Sequence, residues 1–303
     1  MVNQKIAVAG ATGNLGHRMV YALRKRGAEV IALVRPGTDS GKRESLSATG
    51  ATVVEVDLSD VARLAAHLAN VDGVVSALVG LREIIIDGQA SLLKAAERAG
   101  VKRFIPSDYC LDYTAFPQGQ NRNLDLRREF GVMLDRSPIA ATSIFCGAFS
   151  TLLTHVPIIL DMKSSRVSFW ENSKQPMNFT AIDDVAQFTA AAALDIAAPR
   201  YLRVASETVS AGQLAELASG LKGTSFELHC AADLSELSQQ IKEGQSRADP
   251  NDTDIYPLWQ TLQHLRNMFD GSGVFETTDN GRYPQISWTP LSELISQVLP
   301  SRF

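Results

Sequence analysis

Three places in this sequence carry residues whose types and spacing could do chemistry: Gly10, Gly13 and Gly16; Arg35; and the polar run Ser107-Asp108-Tyr109. The glycines fall in Lys5 to Gly16, KIAVAGATGNLG, where Ile6 to Ala9 is an apolar run of strand length. A helical pattern resumes at Leu15, Met19, Val20 and Leu23. A strand that turns into a helix on glycines is a phosphate cradle. Gly10 takes the tight turn, Gly13 lets the backbone approach a pyrophosphate, and Gly16 lets the helix pack against the strand. The anion would meet free N–H groups and the positive end of the helix dipole. Gly10, Ala11, Thr12, Gly13, Asn14, Leu15 and Gly16 are therefore candidate cofactor-binding residues, with an ordinary turn as the alternative.

Arg35 bears on which cofactor. The second strand of an NAD site usually ends on an acid that hydrogen-bonds the ribose 2′-hydroxyl. Here Arg35 stands in that place, with no acid until Asp39 and with Lys42 and Arg43 close behind. A guanidinium suits the 2′-phosphate of NADP and offers adenine a flat surface. A solvated basic loop is the alternative, and Lys42 is a weaker candidate for the same phosphate. Asp57, closing the third strand, either flanks the adenine or caps the next helix.

Past the fifth strand, Ser107 could hydrogen-bond a nicotinamide or a substrate oxygen. Tyr109 could donate a proton if a cation lowers its pKa. Loop residues of this kind are also often simple turn formers. Cys146, Phe149, Trp170, Met177 and Phe179 could line an aromatic pocket, or be plain core.

These residues need a frame that brings strand ends together. Apolar runs at Glu29 to Val34, Thr52 to Val56, Val71 to Leu78, Arg103 to Pro106 and Ala141 to Phe145 alternate with helical patterns. Ser59 is the expected cap of the helix through Leu64 and Leu68. That rhythm predicts an α/β fold: a Rossmann-type, doubly wound parallel sheet with a smaller C-terminal α+β substrate lobe. The nucleotide-binding domain is expected at 1–150, with 181–204 returning to it, and the lobe at 151–303. In the second half a helix is expected over Phe149 to Leu160. Short strands are expected within Arg166 to Phe179, around a turn at Glu171 to Lys174.

At 303 residues the chain can bury a large core. A net charge of −4 and an isoelectric point near 5.8 argue against nucleic-acid binding. No stretch is long and apolar enough to span a bilayer, and Met1 runs straight into the first strand without a signal peptide. Three widely spaced cysteines fit reduced thiols. A cytoplasmic, metal-free protein is expected, with a small-molecule partner.

The GxxGxxG spacing resembles that of short-chain dehydrogenases. GATGNLG, LVRPG from Leu33, AAERAGVKRFIPSDY at strand five, AIDDVA from Ala181 and NGRYPQISWTPLSELI from Asn280 extend the likeness. Together they resemble the NmrA-like, isoflavone-reductase-like branch of the atypical short-chain dehydrogenases/reductases over nearly the whole length. The resemblance implies an NADP cofactor and a cleft at the strand ends. Carried over by position, Gly10 to Gly16 hold the pyrophosphate and Arg35 the 2′-phosphate. Ala77, Leu78 and Pro106 lie along the nicotinamide half.

The plant reductases of that family place a proton-transfer lysine early on the helix after strand five. Here the position falls near Arg127 or Arg128, in NLDLRREF. Arginine stays protonated, so it can hold a ribose or an anion but does not readily trade a proton; a solvated helix face is the alternative. No YxxxK pair replaces the lysine, since Asn123 and Arg127 occupy the i and i+4 positions. The resemblance thus implies NADPH-dependent reduction of a small aromatic compound by hydride transfer, with Tyr109, Arg127 and Ser107 as candidate catalytic residues. The alternative is an NADP(H)-binding sensor without turnover.

Overall fold

Ile6, Ala7 and Val8 are fully buried, so the first strand, β1 (Lys5–Ala9), is covered on both faces, as a parallel sheet requires. The structure, a computed structural model, describes residues 4–249 and 252–298. Met1, which opens the first expected domain, and 299–303, which end the second, lie outside the described residues.

From β1 the chain runs through α1 (Asn14–Lys25), β2 (Glu29–Val34), α2 (Ser40–Ala48), β3 (Thr52–Glu55) and α3 (Val61–His67). It continues through β4 (Gly73–Ser76), a π-helical turn at Glu83–Gly88, α4 (Gln89–Ala99) and β5 (Arg103–Ile105). After a long loop come α5 (Arg122–Leu134) and the two-residue β6 (Ala140–Ala141). The six strands form one sheet in the order β3-β2-β1-β4-β5-β6, and every pairing is parallel. This is the Rossmann-type, doubly wound sheet that the strand–helix rhythm predicts. The chain leaves β1 toward β2 on one side and returns to β4 on the other. The switch point, where open α/β sheets leave a crevice, therefore lies between the ends of β1 and β4.

One face of the sheet packs Ala7, Ala9, Leu33, Val74 and Phe104 against Leu64 of α3, Leu68 just past its end, Leu92 and Ala96 of α4 and Phe130 of α5. Helix α1 buries Met19, Val20 and Leu23.

Two expected boundaries move. The sixth strand is divided: Thr142 N still donates to Phe104 O, but Ser143 N turns to Arg200 O. Residues Ser143–Phe145 form β7, paired with β12 (Tyr201–Arg203). The cap of α3 is Asp60, whose carboxylate accepts from Arg63 N at 3.0 Å, and not Ser59.

The chain divides into two compact units. One gathers the residues up to Tyr109, Leu126–Phe145 and Val185–Leu202; the other gathers Cys110–Asp125, Cys146–Asp184 and the chain from Arg203 on. The second unit holds β8 (Ala148–Phe149), α6 (Thr151–His155), β9 (Leu160–Asp161), β10 (Arg166–Trp170) and β11 (Met177–Thr180). Helix α7 (Ile182–Leu194) straddles a boundary between the units. Beyond β12 follow β13 (Glu207–Val209), α8 (Ala211–Lys222), β14 (Glu227–Ala232), α9 (Leu234–Ser246), α10 (Leu258–Phe269) and α11 (Leu291–Val298).

The helix expected over Phe149 to Leu160 shrinks to the five residues of α6 because Pro157 forces Val156 out of the helical region, to φ −125 and ψ 110. Strands β10 and β11 do not pair with each other. They sit in separate sheets, β14-β10-β9 and β13-β11-β8. Among the described residues no helix is long and apolar enough to cross a membrane.

Candidate active site

The glycine loop joins β1 to α1 at the switch point. Gly10 has φ +78, and a Cβ there would lie 2.5 Å from the Ala77 carbonyl oxygen, so only a glycine lets the loop lie against the end of β4. Gly16 is packed tighter still: its Cβ would stand 2.2 Å from Gly10 O. Gly13 differs from both. Its backbone is in an ordinary extended conformation, and its Cβ would meet Gly10 O at 3.3 Å with nothing else within 4 Å. The space beside Gly13 is open, as an approaching ligand needs.

Gly13 is also the N-cap of α1, and no side chain caps that helix. Ala11 is buried, Thr12 and Leu15 are half-buried, and Gly13 and Asn14 are exposed. The Asn14 side chain accepts from Arg18 on the next turn. The first turn of α1 therefore presents its N–H groups behind a loop of small residues, which is the geometry of an anion cradle.

Arg35 is exposed just past the buried Val34. It opens a tight turn in which Thr38 N and Thr38 Oγ1 both donate to Arg35 O, at 3.1 and 2.7 Å. Pro36 followed by Gly37 at φ +75 gives this turn its type II form. Asp39 then caps α2, accepting from Lys42 N at 3.1 Å. Lys42 is exposed on the first turn of α2. Asp57 accepts from both Ser59 N and Ser59 Oγ at 2.9 Å. These two bonds, the backbone one first, hold its carboxyl below the ordinary 3.8. Asp57 thus shapes the turn before α3 without being that helix's cap.

At the ends of β4 and β5, Ser107 is a hub. Its N–H donates to Gln89 Oε1 at 3.0 Å, its hydroxyl to Leu78 O at 2.7 Å, and its carbonyl accepts from Arg127 Nε at 3.0 Å. Ala77 and Leu78 are half-buried and Pro106 is buried. Gln89, fully buried, also donates to Ile85 O in the π-helical turn at 2.8 Å. Of the two arginines on α5, Arg127 is the buried one and Arg128 is half-buried. Tyr109 is buried two residues beyond Ser107. The structure therefore brings Ser107, Leu78 and Arg127 together.

Asn123 turns elsewhere, donating to Ile255 O at 2.9 Å. Cys146, Trp170, Met177 and Phe179 are buried in the second unit, where Trp170 packs on Phe269 with centroids 5.2 Å apart. Phe149 there is half-buried.

Two residues of this region escape a reading of the sequence. Gln89 sits on the apolar stripe Ile85, Leu92, Leu93 and Ala96; a polar side chain in that row was the available signal. Glu55, at the end of β3, accepts from Gly37 N at 3.3 Å and pairs with Arg43. Nothing in its sequence context marks it.

The chain matches the model of the NmrA-like family over residues 2–293. It is 27% identical over 307 residues to probable pinoresinol-lariciresinol reductase 3 of Arabidopsis thaliana, with 97% of each chain covered. Its fold is shared with AtPrR2, solved with NADP+ and (+)pinoresinol, at a TM-score of 0.83 and 22% identity, over 99% of this chain and 100% of the other. The leucoanthocyanidin reductase–NADPH complex from Vitis vinifera superposes with a TM-score of 0.81 at 20% identity, over 97% and 99% of the two chains. With motifs, sheet order and family match in agreement, this chain belongs to the NmrA-like, isoflavone-reductase-like family.

Proposed function

We propose that this protein is an NADPH-dependent reductase that delivers hydride to a small aromatic compound. The observation that carries the proposal is the pairing of an uncapped α1 N-terminus, faced by open space at Gly13, with an exposed arginine where an NAD site has an acid. The loop from Gly10 to Gly16 would hold the pyrophosphate. Arg35, aided by Lys42, would hold the 2′-phosphate, and Asp57 would flank the adenine. Ala77, Leu78 and Pro106 would support the nicotinamide half. The reductase names of the relatives, and the NADP+ and NADPH of the two solved neighbours, support the same reading.

When bound, the cofactor supplies the hydride. What the chain supplies is position and charge. An acceptor gains negative charge on oxygen as hydride arrives, and Arg127 offers a fixed positive charge near Ser107. It does not give up a proton at neutral pH, so Tyr109 or a water delivers one.

The test has two parts. NADPH should bind about tenfold or more tightly than NADH, the value of one charge-assisted contact, and Arg35→Ala should remove most of that difference. NADPH should be consumed in the presence of at least one member of a panel of aromatic ketones, enones and benzylic ethers. Equal affinity for both cofactors in the wild type removes Arg35 from the site.

One observation favours a second reading, an NADP(H) sensor. The Ser107 hydroxyl is engaged with Leu78 O, and the Arg127 Nε is engaged with Ser107 O. Both candidate groups thus serve the backbone. Tight NADPH binding without consumption on any acceptor selects that reading.

A further inference from the structure

Three cations crowd the turn after β2, and they are not equivalent. Arg35 and Lys42 are exposed and carry no ion pair among the described residues. Arg43 is paired with Glu55 through its Nη1. Glu55 stands at the end of β3, directly across from Val34, the residue before Arg35. Its other oxygen accepts from Gly37 N at 3.3 Å, inside the Arg35 turn. An acid at this edge of the sheet is therefore present after all. It comes from the neighbouring strand, and its charge is covered by an arginine.

We infer that the Arg43–Glu55 pair is a charge mask that sets cofactor preference, so that Arg43 acts on Glu55 and not on the phosphate itself. The inference rests on the NADPH reading above. An acid beside the ribose favours a 2′-hydroxyl and repels a 2′-phosphate. With its charge neutralised by Arg43 and one oxygen anchored on Gly37 N, Glu55 orders the turn that carries Arg35 without opposing the phosphate. Two further carboxylates lie on this segment: Asp39 is committed to the α2 cap, and Glu44, exposed on α2 beside Arg43, carries no ion pair among the described residues. The pair is half-exposed, with 43% and 36% of the two side chains accessible. Such pairs add little to stability, so single variants are expected to fold.

Calorimetry of NADPH and NADH binding to wild type, Arg43→Met, Glu55→Gln and the double variant tests the mask. Arg43→Met should weaken NADPH by about two- to fivefold, the range of exposed charge pairs, and leave NADH unchanged or slightly tighter. Glu55→Gln, which keeps an acceptor for Gly37 N, should bind NADPH at least as tightly as wild type. The double variant should return to wild-type NADPH affinity, because the charge that needed masking has gone. A double variant as weak as Arg43→Met would make Arg43 a direct phosphate ligand and overturn the mask. So would an Arg43→Met protein with unchanged NADPH affinity. A wild type without preference for NADPH would instead overturn the cofactor reading itself, and the mask with it.

Discussion

Gly10, Gly13 and Gly16 look equivalent in a motif and are not equivalent in space. Gly16 packs its α-carbon against Gly10 O, where a methyl group would have to intrude to 2.2 Å. Gly16→Ala should therefore destabilise the protein by about 1–3 kcal/mol, as overpacked sites do. The change would appear as a fall in thermal midpoint without ligand; an unchanged midpoint would show that the loop yields freely. The spacing of the glycines was legible in the sequence, and so was the arginine at the end of β2. The bonds around Ser107 were not. Gln89, Leu78 and Arg127 lie 18, 29 and 20 residues from it in sequence, and side-chain bonds to backbone across such distances leave no local pattern. Glu55 was hidden for the same reason: its partners Gly37 and Arg43 belong to the preceding turn and helix.

Among the elements, α1 decides the most, because its first turn is left without a side-chain cap. Gly13→Asp supplies one. The backbone there, φ −77 and ψ 165, suits an ordinary N-cap residue. The variant should keep its thermal midpoint or gain slightly, while a carboxylate at the cradle repels a pyrophosphate and NADPH binding is lost. Wild-type NADPH affinity in Gly13→Asp would place the pyrophosphate elsewhere. The turn before α3 gives a pH prediction. Asp57 is held below 3.8 by its two bonds from Ser59. A carboxyl lowered on folding stabilises the folded state above its unfolded value and loses that contribution as pH falls through its folded value. Its NMR titration midpoint should lie below 3.8 in wild type and rise in Ser59→Ala; a midpoint at or above 3.8 in wild type would contradict the Asp57–Ser59 geometry. Elements that follow local rules were legible. Helices α8 and α9 both start on a capping box, Ser210 with Gln213 and Asp233 with Glu236. The helix after Phe149 was misjudged because its apolar run continued past the point where Pro157 ends helical geometry. The β6–β7 break at Thr142 follows a change of pairing partner, which composition does not encode.

For the molecule as a whole, alternation of strands and helices was enough to reach a parallel, doubly wound sheet, and the observed order β3-β2-β1-β4-β5-β6 is of that kind. The second unit was less legible because its strands are short and pair non-locally: β10 lies beside β14, and β11 beside β13 and β8. Its loop segment from Cys110, polar in sequence, buries Leu111, Tyr113 and Phe116. The proposed function reads sheet, loop and family as a dinucleotide site, and its step from binding to catalysis rests on Ser107, Tyr109 and Arg127. The most direct measurement is isotope transfer: incubation with NADPH deuterated at the transferring nicotinamide carbon, across the panel of aromatic ketones, enones and benzylic ethers, followed by mass spectrometry of the products. One deuterium is expected in the product of at least one acceptor. Saturating NADPH binding with no deuterium in any product would contradict the reductase reading.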